Sequence, residues 1–569
     1  MKTPKKYLSL ILLSILIGFI SGCNDYLQPF EESGKYSDDI IWNNPTLAEG
    51  VLLRAYGLLP TDYLQNEEFG ADDGVTNVLD HSMVQVATGG WSARNNPLES
   101  YETAYTAIKH INLFLEHVDS VVWSYTSGKK DSLFRQRLKG EAYALRAYYG
   151  SVLLQETGGK SASGELLGYP IILESGMNAS DGKLPRNLYS ECVKQIFDDC
   201  DMAIQLLPLR WSDGGLTTEE KETKGARFMN RINGITAMLI KARVALTAAS
   251  ESFKESGVTM QQAAGFAAEI IGINGFGKMQ MNDIQFYIQA RNMNDLSYFS
   301  ANSEVFWFSS IQSKASNRES KFYPPSQYGS GIISPSQNLA NAFGDSYGNP
   351  ISVSQVYNPS QPYGNRDPRF YMYLYYNGAY TESGEMLNIK SGDKDAIGKT
   401  VNSTRTGYYM RKLLDEGVKL TPGLIVSTPH YYVYARYTEA LLIFAEAANE
   451  AAGPDGNVGG FTARDIVKKI RSRAGIISTA YVDGLDKNGL ASLIRNERRI
   501  ELCFEGFRFW DLRRWNDLSG MNEPVKGIDL QSMTEFEVEK RHYEAYMIYA
   551  PIPYNETLKY DIVQNAGWN

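Results

Sequence analysis

Cysteine and histidine are scarce in this chain, with four and five among 569 residues. Cys192 and Cys200 fall eight apart in a stretch with helical spacing, so their Cα atoms would stand about 12 Å apart, beyond disulfide reach. They and Cys503 are expected as buried free thiols. His81, His110, His117, His430 and His542 are scattered, and no zinc-ligand spacing appears. Past the first 22 residues no apolar run is long enough to cross a bilayer as a helix. Basic residues are outnumbered, 56 against 65, which argues against nucleic acid as a partner. A Gly-rich phosphate loop and an HExxH pair are both lacking.

What is present is a globular composition, 43% hydrophobic and 21% charged. The aromatic content is high: 37 Tyr, 23 Phe and 8 Trp. Several tyrosines fall in apparent loops, among them Tyr323, Tyr328, Tyr347, Tyr357 and Tyr363. Such rings suit flat polar ligands such as sugars, which pair an apolar C–H face with a hydroxyl rim.

The first 22 residues read as an export signal. Lys2, Lys5 and Lys6 precede an almost wholly apolar stretch from Tyr7 to Ile20. Ile20-Ser21-Gly22-Cys23 then resembles a bacterial lipobox. That resemblance implies cleavage before Cys23 and acylation of its thiol and new amino end. Several acyl chains anchor stably where one holds only marginally. Loss of the three lysines would leave the chain more acidic than its −9. Residues 23–36 read as a lipidated tether, roughly 40 Å long when fully extended.

Helical spacing recurs through the body. It is carried by Phe134, Leu138, Ala142, Leu145, Tyr149 and Leu153, by Ile235, Leu239, Ala242 and Leu246, by Tyr437, Leu441, Phe444, Ala448 and Ala451, and by Leu490, Leu493, Ile494 and Ile500. Further helices are expected near 46–59, 99–119, 187–207, 260–272 and 462–474. Ala445, Ala447, Ala448, Ala451 and Ala452 would let neighbouring helices approach closely. The expected fold is mostly α, with tetratricopeptide-like helix pairs, although no 34-residue period is visible. Residues 37–272 and 431–569 are the helical parts of one domain spanning 37–569. Between 273 and 430, Gly, Ser, Asn, Pro and Tyr predict long ordered loops with a few short strands. Val305-Phe306-Trp307-Phe308 is one such strand, with Trp307 in the core. Glu67 to Pro97 reads as a second loop-like insertion.

The C-terminal third carries a recognisable pattern. Arg436-Tyr437-Thr438-Glu439-Ala440-Leu441-Leu442-Ile443-Phe444-Ala445-Glu446-Ala447 is followed by Ile470-Arg471-Ser472-Arg473-Ala474-Gly475. Then come Arg495, Glu497-Arg498, Glu501-Leu502, Phe504-Glu505-Gly506, Arg508, Asp511-Leu512 and Arg514-Trp515. The chain closes on Pro551-Ile552-Pro553 and Gln564-Asn565-Ala566-Gly567-Trp568, with Ala566 at a position where proline is usual. Together with Gly140-Glu141-Ala142, Lys241-Ala242-Arg243, Pro335-Ser336-Gln337-Asn338 and Asp367-Pro368-Arg369, this resembles the SusD/RagB family across the whole mature chain. The resemblance implies an outer-membrane, lipid-anchored surface protein that binds oligosaccharide without hydrolysing it. It would act as a lid on a SusC-like TonB-dependent outer-membrane transporter. A peptide or another nutrient in the same lid role is the alternative, and a surface hydrolase is the reading from another class.

Read from the residues alone, the C-terminal signature is structural. Arg498 can reach Glu501, and Glu505 can reach Arg508, one helical turn away. Trp510 and Trp515 flank Arg513 and Arg514, which suits cation–aromatic stacking. Gly344-Asp345-Ser346-Tyr347-Gly348 matches the G-x-S-x-G pattern of serine hydrolases. That motif needs a strand before it and a helix after it, and the helical look of residues 338–343 points to a polar turn instead. A carboxylate pair assembled in space is not visible in sequence.

The resemblance implies a shallow sugar site made by loops set among the helices. Mapped here, it draws on Trp91, Arg94, Asn95 and Asn96 in the first insertion and on Tyr298, Tyr323 and Tyr328 in the middle region. Trp91 follows Gly89-Gly90 and precedes Ser92, which reads as an exposed ring able to stack on a sugar. The opposing reading tucks it under its own loop. Asp72 and Asp73 offer hard oxygens to Ca²⁺, against a solvated turn. No other cofactor is expected.

Cys23→Ser tests the anchor. In cells fed labelled palmitate, the variant is expected to lose the label and to leave the membrane fraction. Retention of both would contradict acylation at this residue.

Overall fold

A computed structural model describes residues 38–569, apart from 64–65, 99, 177–183, 279–280, 293–303, 391, 560–561 and 569. Cys23 and Tyr298 lie outside the described residues. Ten helices carry the architecture: α1 (Pro45–Tyr56), α2 (Ser100–His117), α3 (Gly128–Thr157), α4 (Tyr189–Leu206), α5 (Gly234–Ala249), α6 (Met260–Asn274), α7 (Tyr437–Ala452), α8 (Ala463–Arg473), α9 (Lys487–Glu501) and α10 (Phe507–Arg514). Nine of them coincide with the helices expected from apolar spacing. Side-chain caps define several starts. Asn44 accepts from Thr46 N at 2.9 Å, Asn233 from Thr236 N at 3.0 Å, and Asp486 from Gly489 N at 2.8 Å.

The helices pack in succession. α1 lies on α2, α2 on α3, α3 on α4, α4 on α5, α5 on α6, and α6 on α7, which in turn contacts α8 and α9. Small residues allow the close approach. Ala445, Ala447 and Ala448 are fully buried, whereas Ala451 and Ala452 at the end of α7 are exposed, so the expected contact stops one turn early. Among the described residues no helix is long and apolar enough to cross a membrane.

Every sheet among the described residues is two-stranded and antiparallel. β1 (Gly74–Thr76), β2 (Val305–Phe308), β3 (Ile333–Pro335), β4 (Val433–Arg436), β5 (Val525–Asp529) and β6 (Thr534–Glu539) are six of the strands. β1 pairs with β3, β2 with β4, and β5 with β6. Trp307 on β2 is buried, as its apolar run required. The 67–97 segment is not a loop-like insertion. It holds β1 and short helical turns, and Phe69, Ala71, Val75, Met83, Val86 and Ala87 are all buried.

Two hydrophobic cores result. One fills the spaces between the helices, and the other gathers the 67–97 segment, the loop-rich middle and the C-terminal signature. α9 spans the seam between them. Its Leu490, Leu493 and Ile494 belong to the first core and its Ile500 to the second.

The second core also buries ions. Glu501 accepts from Arg369 at 2.9 Å and from Arg473 at 2.7 Å. Arg369 also reaches Asp367 and Glu497, and Arg471 binds Glu497 at 2.7 Å. Glu505 is held by Lys412 at 2.6 Å and by Arg436 at 2.8 Å. Arg498 binds Asp511 at 3.0 Å, and Arg508 binds Asp72 at 2.8 Å. The expected one-turn pairs, Arg498 with Glu501 and Glu505 with Arg508, therefore do not form. Distant partners win because a buried carboxylate needs several donors at once, and one turn of helix supplies only one. Cys192, Cys200 and Cys503 are buried free thiols.

Burial alone would raise Glu501, but Arg473, Arg369, Arg436 and Lys412 outweigh it and hold the carboxyl down at about 2. A carboxyl lowered in the folded state stabilises above its ordinary range, and that stabilisation is lost as pH falls toward the folded value. Chemical unfolding is expected to weaken as pH drops from about 4.5 toward 2, with Glu501 a leading contributor. Glu501→Gln leaves two guanidinium groups short of charge and is expected to cost about 3–5 kcal/mol at neutral pH. A loss below about 1 kcal/mol in a urea titration would contradict this role.

Candidate functional site

Trp91 is buried, with 3% of its surface exposed. Its indole meets Trp568 at 4.8 Å between ring centres and Phe509 at 6.1 Å, and it lies 5.2 Å from the Arg513 guanidinium. Its Nε1 donates to Asn96 Oδ1 at 3.1 Å. The expected exposed stacking ring is therefore a core ring, and Asn96 serves to hold it. Arg513 explains why. Burial lowers this guanidinium to about 10. It sits 3.4 Å from the Phe509 ring centre and 5.0 Å from that of Tyr543, so aromatic faces take the place of a carboxylate. Arg94 and Asn95 are exposed at the same loop. Arg94 donates to the Tyr554 hydroxyl at 2.8 Å, and Asn95 donates to Gln85 Oε1 at 2.9 Å.

Tyr323 is also buried. Its hydroxyl donates to the carbonyls of Asp415 at 3.0 Å and Val418 at 3.3 Å, which removes it from any surface. Asp72 and Asp73 hold arginines rather than calcium. Asp72 accepts from Arg499 and Arg508, and Asp73 from Arg499. Burial opposes ionisation of Asp72, but the two guanidinium groups outweigh it and hold its carboxyl well below the usual range. Among the described residues no group of acidic, His or Cys side chains could hold a metal ion. Ser346 sits in a polar turn. Asp345 there accepts from the Tyr347 and Asn349 amides at 2.9 Å and from the Ser354 hydroxyl at 2.6 Å. The strand and helix of a nucleophile elbow do not flank it.

Among the described aromatic residues predicted for the site, Tyr328 stands out from the surface, 52% exposed. It follows a short turn at Pro325–Gln327 and adopts φ 64°, a left-handed conformation uncommon for an aromatic residue. The loop around it is stitched to the body. Gly331 N donates to Tyr323 O at 3.0 Å and Ser330 N to Ser320 O at 2.9 Å. A Cβ at Gly329 would come within 2.1 Å of Tyr323 O, so only glycine permits the bend. The turn also docks on a second loop. Ser326 N donates to Asp395 at 2.7 Å and Gln327 to Glu385 at 2.7 Å, and the Lys394 ammonium lies 5.3 Å from the Tyr328 ring centre. In that second loop Tyr380 pairs across to Met386, and the two side chains are 60% and 58% exposed. The result is a fixed surface platform with an aromatic face, an ammonium, an amide and a carboxylate. Sequence spacing does not predict that the 380–395 loop joins it.

A cavity of about 450 Å³ lies on the seam between the two cores. Tyr148, Tyr432, Tyr434, Phe507 and Trp510 line it, together with Glu67 and Glu156. None of these residues was anticipated as a site.

Comparison with known proteins accounts for this architecture. A sequence model of the SusD family matches residues 290–568. A second, described as starch-binding and associating with the outer membrane, matches residues 40–228. The chain belongs to the SusD/RagB family. SusD-like protein P38 of Formosa agariphila is 23% identical over 551 residues, covering 93% of this chain and 95% of the relative. A SusD-like protein of Bacteroides fragilis superposes with a TM-score of 0.71 at 22% identity, over 94% of this chain and 99% of its own. Surface glycan-binding protein A of Bacteroides fluxus gives a TM-score of 0.60 at 17% identity, over 92% and 100%. These structural likenesses establish the SusD/RagB fold. In that fold the signature arginines and acids, read from sequence as structural, are the ions of the second core.

Trp91→Ala is expected to cost about 3–5 kcal/mol of stability, read by chemical unfolding, because it opens the core around Arg513. A variant that unfolds like the parent but fails only in ligand binding would contradict this placement.

Proposed function

We propose that this chain is a cell-surface glycan-binding lipoprotein that captures oligosaccharide for a partner TonB-dependent outer-membrane transporter and acts as its lid. The observation that carries the reading is the match of SusD-family models to both halves of the chain. Its relatives support the ligand class: one solved neighbour is named a carbohydrate-binding protein and another a surface glycan-binding protein. The acidic balance agrees with a neutral or polar ligand rather than a polyanion. The lipobox at Cys23 supports attachment to the outer membrane.

Tyr328 and its neighbours are the proposed contact surface. The ring offers a face for sugar C–H groups, while Gln327, Glu385 and Lys394 offer hydrogen-bonding partners for hydroxyls.

A glycan array followed by calorimetry tests the proposal. The full chain is expected to bind at least one oligosaccharide, and Tyr328→Ala to weaken it by about 2 kcal/mol, roughly thirtyfold. If no glycan binds at millimolar concentration, the sugar assignment fails. If binding survives Tyr328→Ala unchanged, the contact surface lies elsewhere.

A further inference from the structure

The seam cavity has a composition that the glycan reading does not use. Its volume of about 450 Å³ suits a small molecule. Aromatic rings face it from both cores. Tyr148 and Tyr434 belong to the helical side, and Tyr432 and Trp510 to the loop-rich side. Each of these rings is half-buried, with surface left uncovered.

The charged groups on the wall fall into two sets. Most are already paired. Arg243 binds Glu439 at 2.5 Å, Arg436 binds Glu505 at 2.8 Å, and Asp62 binds Arg318 at 2.9 Å. Arg498 and Arg514 share Asp511, and Arg514 also binds Glu446. Among the described residues Arg513 has no carboxylate partner; it packs on the Phe509 ring and donates to the Phe509 carbonyl at 3.0 Å. Glu67 and Glu156 differ from these. Neither has an ion-pair partner among the described residues. Glu67 lies beside Gly506, where a Cβ would stand 3.6 Å from its Oε2. Ser100 lies beside Glu156 and favours its charged form in part. Burial raises both carboxyls. Glu156 reaches about 7, with the charge of Glu67 adding to the effect of burial.

Two uncompensated carboxyls within a box of aromatic faces match one ligand chemistry. Carboxylates repel an anion. A hard metal ion wants six to eight oxygens, and this wall offers rings in their place. An organic cation uses both features: its N–H groups reach the carboxylates, and its charge and apolar body meet the ring faces. We propose that the seam cavity binds a small ammonium-bearing molecule, with the ammonium between Glu67 and Glu156 and its apolar body on Tyr148, Tyr432 and Trp510. Binding ionises the carboxyls and releases protons, so affinity rises with pH through about 7, where Glu156 titrates.

Calorimetry on the full chain in detergent, with matched probes, decides this. Ethanolamine, putrescine and spermidine, which stay protonated between pH 6 and pH 8, are the cationic probes; glucose and N-acetylglucosamine are the neutral ones. At least one cation is expected to bind at millimolar concentration or tighter, more strongly at pH 8 than at pH 6, while the neutral probes do not bind in the cavity. Glu156→Gln mimics the protonated carboxyl, so it is expected to keep the thermal midpoint yet lose roughly tenfold or more in cation affinity. Glu67→Gln is expected to do the same. Tyr328→Ala should leave cation binding unchanged, which separates this site from the surface platform. Failure of all three cations to bind would overturn the proposal. So would equal binding of charged and neutral probes, or full affinity in both Gln variants.

Discussion

Glu501 holds Arg369 and Arg473 with its two carboxylate oxygens, and those three side chains are almost wholly buried. The rest of the structure depends on pairings of this kind. A guanidinium moved from water into a core costs several kcal/mol unless its donors and charge are met. Here the acids that meet them come from remote parts of the chain. Asp72 and Asp73 arrive from the first segment, Glu304 from the middle, and Glu497, Glu501, Glu505 and Asp511 from the C-terminal signature. Each pair fixes two segments against each other, and several of these segments, such as those of Asp72, Asp73 and Glu304, have little regular structure of their own. Two-stranded sheets and short turns can therefore build a defined body without a continuous sheet.

This scaffold also determines where aromatic rings are free. Trp91, Phe509 and Tyr543 enclose Arg513, and Tyr323 is drawn inward to two carbonyls. Tyr328 escapes because its loop turns left-handed just after Pro325–Gln327 and is fastened at both sides of the bend. Recognition residues on loops work when the loop is held rigid by a packed frame. The same division of labour leaves the seam cavity, where the two cores meet but do not close.

The helices were legible in the sequence because apolar spacing and caps are local signals. Leu490, Leu493 and Ile494 on α9 gave its buried face directly. Trp307 was legible for the same reason, since four apolar residues in a row admit no solvated face. The partners of buried ions were not legible. Arg498 has an acid one turn away, yet it binds Asp511, and Arg508 reaches back to Asp72. Trp91 was misread because the residues that cover it stand more than 400 positions downstream, at Phe509, Tyr543 and Trp568. Tyr328 could be named from its loop, but Lys394, Glu385 and Tyr380 beside it could not. Glu67 and Glu156 carried no local pattern, and only folding brings them to one cavity.

On the proposed reading, ions buried between distant segments hold a loop frame on which Tyr328, and not Trp91, meets the ligand. A crystal structure of the chain with an oligosaccharide that it binds tests this most directly. Sugar density is expected against the Tyr328 ring, with Trp91 still enclosed beside Arg513. Sugar stacked on Trp91, with that ring withdrawn from Arg513, would contradict it.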